Sequence, residues 1–305
     1  MLGSCCCVRA LTLPMKSALI TLFCSVGCVQ AVTINLDYSY SYGYFYEGTT
    51  IRASLEKAAA DLSAVLAPGQ LVALPTRVAP AGSASYNNGE FELTSSANAQ
   101  TAYTIQSPHD GSVVRLATET WEADEFRIYV GRRQFPGDLI ASTSEIQAGL
   151  SMFGWGYQIT WQAALDAAAA NATALYSRGS NIVAQSASGA IPLGSAAGNY
   201  TVDYGPMGAV LWFSADGVTK WQYDHTAEVG ADQYDFYSVA LNQMMVALGA
   251  TLPAGFEMGT RTGLTADHLA ALQTAGWTLV PEPGSAVLAL AGALPLLLSR
   301  RREQL

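Results

Sequence analysis

All five cysteines of this 305-residue chain, Cys5, Cys6, Cys7, Cys24 and Cys28, fall within its first 28 residues. The remainder has none, so neither a disulfide framework nor a cysteine-ligated metal centre can hold it together. It must fold on its hydrophobic core alone. With half its residues hydrophobic and 13% charged, the chain has ample material for one. The formal net charge is −9. Setting aside Arg9, Lys16, Arg300, Arg301 and Arg302 leaves 10 basic residues. Setting aside Glu282 and Glu303 leaves 22 acidic ones, so the middle stands near −12. That balance argues against nucleic acid or an anionic membrane surface as a partner.

Both ends read as addresses. Lys16, an apolar run over residues 18–29, and Val29 and Ala31 before Val32 have the layout of a secretory signal peptide. We therefore assign residues 1–31 to it, with Met15 as an alternative start. A lipoprotein reading, with Cys28 lipidated, is weakened by Ser25-Val26-Gly27, which lacks the usual leucine. At the other end, Pro281, Glu282 and Pro283 form a rigid break. An apolar run over residues 285–298 follows, then Arg300, Arg301 and Arg302. That run is marginal for spanning about 30 Å of hydrocarbon, and the arginines would stay on the cytoplasmic side. In content and order, residues 281–305 resemble the PEP-CTERM sorting signal of Gram-negative bacteria that make extracellular polysaccharide. The resemblance implies passage through the export machinery and recognition by an exosortase-type membrane enzyme. The chain would be held in the inner membrane, transiently or stably, and then reach the cell surface or matrix. A plain C-terminal anchor predicts the same topology without release.

The body, residues 32–280, opens with Leu36, Tyr38, Tyr40 and Tyr42 alternating with Asp37, Ser39 and Ser41, the period of a strand. Ile51, Leu55, Ala58, Ala59, Leu62 and Val65 then recur at helical spacing, with Thr50 as the expected cap and Pro68-Gly69 as the stop. Residues 80–112, rich in Ser, Ala, Asn and Gly, with short strand-like pieces such as "EFEL" and "AYTIQ", read as surface loops and hairpins. "DEFRIYVGRR" reads as a strand with Phe126, Ile128 and Val130 on one face, and "TWQAALDAAAANATALYS" as a helix. "GAVLWFSADG" reads as a further strand ending in an Asp216-Gly217 turn. "DFYSVALNQMMVALGA" is a short helix that stops at Gly249, and a last helix runs from Thr265 to about Ala275. No repeat or linker divides this stretch, and one α+β domain is the simplest organisation.

A zinc protease helix carries His-Glu-x-x-His, which sets two imidazoles one turn apart on one metal with a carboxylate to activate water. "DFYSVAL", five variable residues and "ALG" resemble the zinc helix of exported, metzincin-like proteases that often carry PEP-CTERM tails. "LDYSYSYGYFYEGTTIRASLEKAAADL" resembles that family's opening strand and helix, and "FRIYVGRR" its central strand. "GAVLWFSADGVTKWQYD" is similar to its edge strand and turn, and "GTRTGLTADHLAALQTAGW" to its closing loop and helix. The resemblance implies a mixed twisted sheet packed with a few helices, including the former zinc helix, followed by the single C-terminal hydrophobic helix.

The site itself departs from that pattern. The first His position is Asn242, the Glu position is Gln243, the second His position is Val246, and the third ligand would fall at Leu252. An amide is a poor zinc ligand, Gln243 cannot take a proton from water, and Val246 and Leu252 have no donor atom. Zinc is therefore not expected. Met258 is the only methionine near the place of the one that lies under the metal in that family.

The histidines His109, His225 and His268 are scattered, so an active protease with a rebuilt site is the least supported reading. Asp203, Asp216, Asp224, Asp232 and Asp235 offer the oxygen ligands of a structural calcium, or simply a solvated acidic surface. The expectation is an exported surface or matrix protein with an inactive metalloprotease-like domain and a binding or structural role. The alternative is a protein that binds or acts on exopolysaccharide, with Tyr38, Tyr40, Tyr42, Tyr44 and Tyr46 stacking on sugars.

Overall fold

A computed structural model describes residues 31–280, apart from 42–44, 46–47, 75–81, 88–91, 117–119, 136, 138, 156–157, 180–181, 183–184, 194–195 and 254. The stretch before Ala31 expected to be a signal peptide, the whole segment with Pro281, Glu282, Pro283, Arg300, Arg301 and Arg302, and Tyr42, Tyr44 and Tyr46 lie outside the described residues.

The centre is a four-stranded sheet, ordered β1 (Thr33–Asp37), β5 (Glu125–Arg133), β10 (Gly208–Ser214) and β6 (Ala141–Glu145). The first three strands are parallel and β6 runs antiparallel along the edge. Every residue of β10 is buried, as a strand covered on both faces requires. Its side chains divide the interior. Ala209, Leu211 and Phe213 join one apolar cluster with Phe126, Ile128 and Val130 of β5. Val210 and Trp212 join a second with Tyr129. The chain therefore belongs to the mixed α+β class, with four helices among the described residues.

On the first face lie α1 (Thr50–Val65) and α3 (Phe236–Ala247), packed against each other. Buried Leu55, Ala58, Ala59 and Leu62 give α1 its inward stripe. Between the helices, Tyr237 Oη donates to Asp61 Oδ2 at 2.7 Å. The other face carries α2 (Gln158–Tyr176), whose Trp161, Ala164, Leu165, Ala168, Ala172 and Tyr176 are buried at helical spacing. The small alanines let α2 sit close on a second sheet built around β3 (Glu92–Gln106). There β3 pairs with β2 (Gly82–Asn87), β4 (Val113–Leu116) and β7 (Gln147–Trp155). The hairpin of β8 (Gln185–Leu193) and β9 (Ala196–Tyr204) also packs on α2. Short strands β11 (Trp221–Gln222) and β12 (Tyr234–Asp235) pair in parallel, and α4 (Ala266–Thr274) follows α3.

Four expectations need correction. Residues 80–112 do hold a hairpin, β2 with β3, but not a surface one: β3 runs for 15 residues with Ala97, Ala99, Tyr103 and Ile105 buried. Small residues on its inner face make room for α2, and a composition typical of loops concealed its length. The opening strand stops at Asp37, because its Oδ1 accepts from Ser39 N at 2.8 Å and Ser41 N closes a turn onto Tyr38 O. The cap of α1 is Thr49, which accepts from Arg52 N. The strand "GAVLWFS" is interior to the sheet, and β6 holds the edge.

Candidate functional site

Helix α3 begins at Asp235, whose buried carboxylate caps it. Oδ2 accepts from Ser238 N at 3.0 Å and Ser238 Oγ at 2.6 Å. Oδ1 accepts from Arg261 Nε at 3.0 Å and Nη2 at 2.7 Å. Arg261 also donates to Ala227 O and Asp224 O, so one guanidinium ties the cap of α3 to the loops on both sides. The helix ends where Gly249 takes φ 82°, a conformation that favours glycine, and Gly249 N donates to Val246 O.

Seven apolar α3 side chains are buried, Met244 and Met245 among them, which leaves few positions for chemistry. Asn242 opens on a cleft of about 430 Å³, and no other protein group bonds its amide among the described residues. Tyr234, Val239, Pro253 and Phe256 form an apolar wall, while Ser238, Glu257, Thr260, Thr262 and His268 supply polar groups. Gln243 is turned away. It is buried, and its Oε1 accepts from Thr143 Oγ1 of β6, so it straps the helix to the edge strand. Val246 is 41% exposed, and Leu252 is half-buried against the core.

These residues do not fit zinc. Of the four positions only Asn242 reaches the cleft, Gln243 has its oxygen engaged, and two have no donor atom. Nor do the histidines assemble a substitute. His109 lies on an exposed turn. His225 Nδ1 lies 3.1 Å from Ser54 Oγ of α1. His268 Nδ1 accepts from Thr265 N at 3.2 Å in the capping box of α4. Among the described residues no three His, Cys, Asp or Glu side chains group as a metal site.

No three of the aspartates offered as calcium ligands group as a metal site among the described residues. Asp216 holds Val218 N and Thr219 N, and these bonds, that of Thr219 N first, pull its carboxyl down to about 2. Asp224 holds Thr226, Asp232 pairs with Lys220, and Asp235 caps α3. Met258 is half-exposed on a turn.

Sequence reasoning missed two members of this site. His268 sits in the same cleft as Asn242, brought there by α4. Because Nδ1 accepts, the neutral imidazole carries its proton on Nε2 and offers a donor. Arg261 is the other. Its partner Asp235 lies 26 residues away, too far for any local pattern. The described tyrosines of the opening cluster pack inward: Tyr40 meets Tyr129 edge-on, and Tyr38 stacks beneath Arg52. No described helix is long and apolar enough to cross a membrane. No protein-family model, curated protein or solved structure matches the chain.

Proposed function

We propose that this chain is an exported surface or extracellular-matrix protein whose metzincin-like domain has lost its catalytic centre and serves as a binding module. One observation carries the reading: the fate of the positions on α3 that would hold zinc and its base. Asn242 keeps the cleft-facing place with an amide, Gln243 has become a strut to Thr143, and Val246 presents methyl groups to solvent. The mixed sheet with α3 laid against it supports the frame, and the ordered Pro-Glu-Pro, apolar and arginine pattern of residues 281–305 supports export and sorting. Its partners in this reading are the export machinery, an exosortase-type membrane enzyme, and exopolysaccharide or other surface proteins.

A second reading, carbohydrate binding, draws on the same cleft. An apolar wall with Tyr234 and Phe256 faces an amide, hydroxyls and a carboxylate, the mixture that holds a sugar ring. The two readings differ in ligand and agree on catalysis. Incubated with casein and zinc, the folded full chain is expected to cleave no more than a protein-free control. Cleavage that a chelator abolishes would overturn both. Glycan-array binding lost in Phe256→Ala would select the carbohydrate reading, and its absence would remove that reading.

A further inference from the structure

Far from α3 in the chain, β5 ends in Arg132 and Arg133, which line a cavity of about 490 Å³ with His109, Asp110, Gln134 and Phe135. Arg133 Cζ lies 4.3 Å from the centre of the Trp212 ring and 5.2 Å from that of Phe135. Such contacts fix a guanidinium in place without using its hydrogen-bond donors. Arg133 makes no side-chain hydrogen bond or ion pair with any described residue. In a chain of net charge −9 that has acids to spare, a held cation with unspent donors is unusual.

The surroundings are built around it. Gly111 has φ 77°, and a Cβ there would come within 2.6 Å of Arg133 Nη1, so the turn leaves room for the guanidinium. That turn is fixed in two ways. Trp212 Nε1 donates to Ser107 O at 3.2 Å, and at Gly131 of β5 a Cβ would meet Pro108 O at 2.1 Å. Arg132 is partly committed, since its Nε donates to Ser214 O at 3.1 Å. Asp110 brings a negative charge: bonds from Ser112, its side chain first, hold its carboxyl down to about 2. Two arginines against one aspartate leave a surplus of positive charge.

We infer that this cavity binds a small organic monocarboxylate, with Arg133 as the planar fork that receives it. A carboxylate matches the two parallel N–H donors of a guanidinium, and its one charge balances the local surplus. The cavity is larger than the carboxylate needs, so the ligand carries a body that rests beside Phe135. The same chemistry occurs on a uronic acid and on the C-terminus of a peptide.

Calorimetric titration of the full chain with glucuronate, acetyl-alanine, inorganic phosphate and glucose tests the inference. At least one of the two carboxylates is expected to bind saturably, and which one does identifies the source. Phosphate should bind more weakly and glucose not at all. Arg133→Gln should weaken the carboxylate by about tenfold or more, and Arg133→Lys, which keeps charge but loses the fork, by several-fold. Gly111→Ala, which displaces the guanidinium, should also weaken it. Thermal melts of the variants confirm that each is folded. Failure of both carboxylates to bind the folded wild type, phosphate binding more tightly than either, or unchanged affinity in a folded Arg133→Gln would overturn the inference.

Discussion

Replacing Arg178 with methionine is expected to cost about 3–5 kcal/mol, a large share of the stability of an ordinary domain. Arg178 follows α2 in a left-handed conformation, φ 57°, and its side chain is fully buried. The guanidinium donates to Val72 O at 2.9 Å, Glu125 O at 2.7 Å, Pro206 O at 3.3 Å and Glu122 O at 2.6 Å. One side chain thus joins the end of α2, the strap near residue 72, the turn before β5 and the loop before β10. Burial pushes the guanidinium down to about 10, against the opposing pull of Glu125 and Asp124, so it is charged at neutral pH. Methionine fills much of the volume and leaves four carbonyls without that donor, the situation in which a buried polar group costs most. Arg178→Lys, with three donors and no plane, should fall between the two. Urea unfolding monitored by circular dichroism reads the change as a lower midpoint. A midpoint unchanged in Arg178→Met would show that water replaces the guanidinium at little cost.

Asp235→Ala is expected to be nearly as severe, about 3–5 kcal/mol, because it removes a helix cap and leaves the Arg261 guanidinium without its carboxylate. The loss should be local as well as global. Thr262 N donates to Ser238 Oγ at 2.7 Å, and Ser238 Oγ in turn donates to Asp235, so the loop that walls the cleft loses its anchor. Asp235→Asn keeps a cap acceptor without the charge and should cost less than half as much. The double variant Asp235→Asn, Arg261→Met should be more stable than additivity allows, since neither retains an unpaired ion. Hydrogen exchange of residues 255–263 checks the local part. Those amides should lose protection in Asp235→Ala at denaturant concentrations where the sheet is still intact. Simultaneous loss everywhere would mean that the cap is no more than a contributor to global stability.

Much of the fold was legible because the decisive patterns are local. The alternation of Phe126, Ile128 and Val130 marks β5, the apolar run of "GAVLWFS" marks a strand though not its interior place in the sheet, and Thr265 marks the start of α4. The second sheet was legible only in pieces. Tyr103 and Ile105 alternate with polar residues at the end of β3, but Ser, Ala, Asn and Thr before them hide its length, and α2 and β7 cover it. At the site, the unsuitability of Asn242, Gln243, Val246 and Leu252 for zinc could be read directly, since it depends only on which atoms those side chains own. That Asn242 faces a cleft while its neighbour Gln243 turns to Thr143 could not. Position along the helix sets that difference, and the location of β6 gives it meaning. Arg178, Arg261 and Arg133 were equally hidden, because each acts on groups far away in the chain.

Zinc content tests most directly the proposal that α3 keeps the frame of a metalloprotease helix without a place for the metal. The full chain, with its N-terminal cysteines alkylated so that they cannot contribute ligands, would be incubated with excess zinc, dialysed, and analysed by mass spectrometry for metal per folded chain. The expected result is no stoichiometric zinc, as two side chains without donor atoms and one committed amide dictate. One zinc per chain, retained through dialysis and lost in Asn242→Ala, would contradict it.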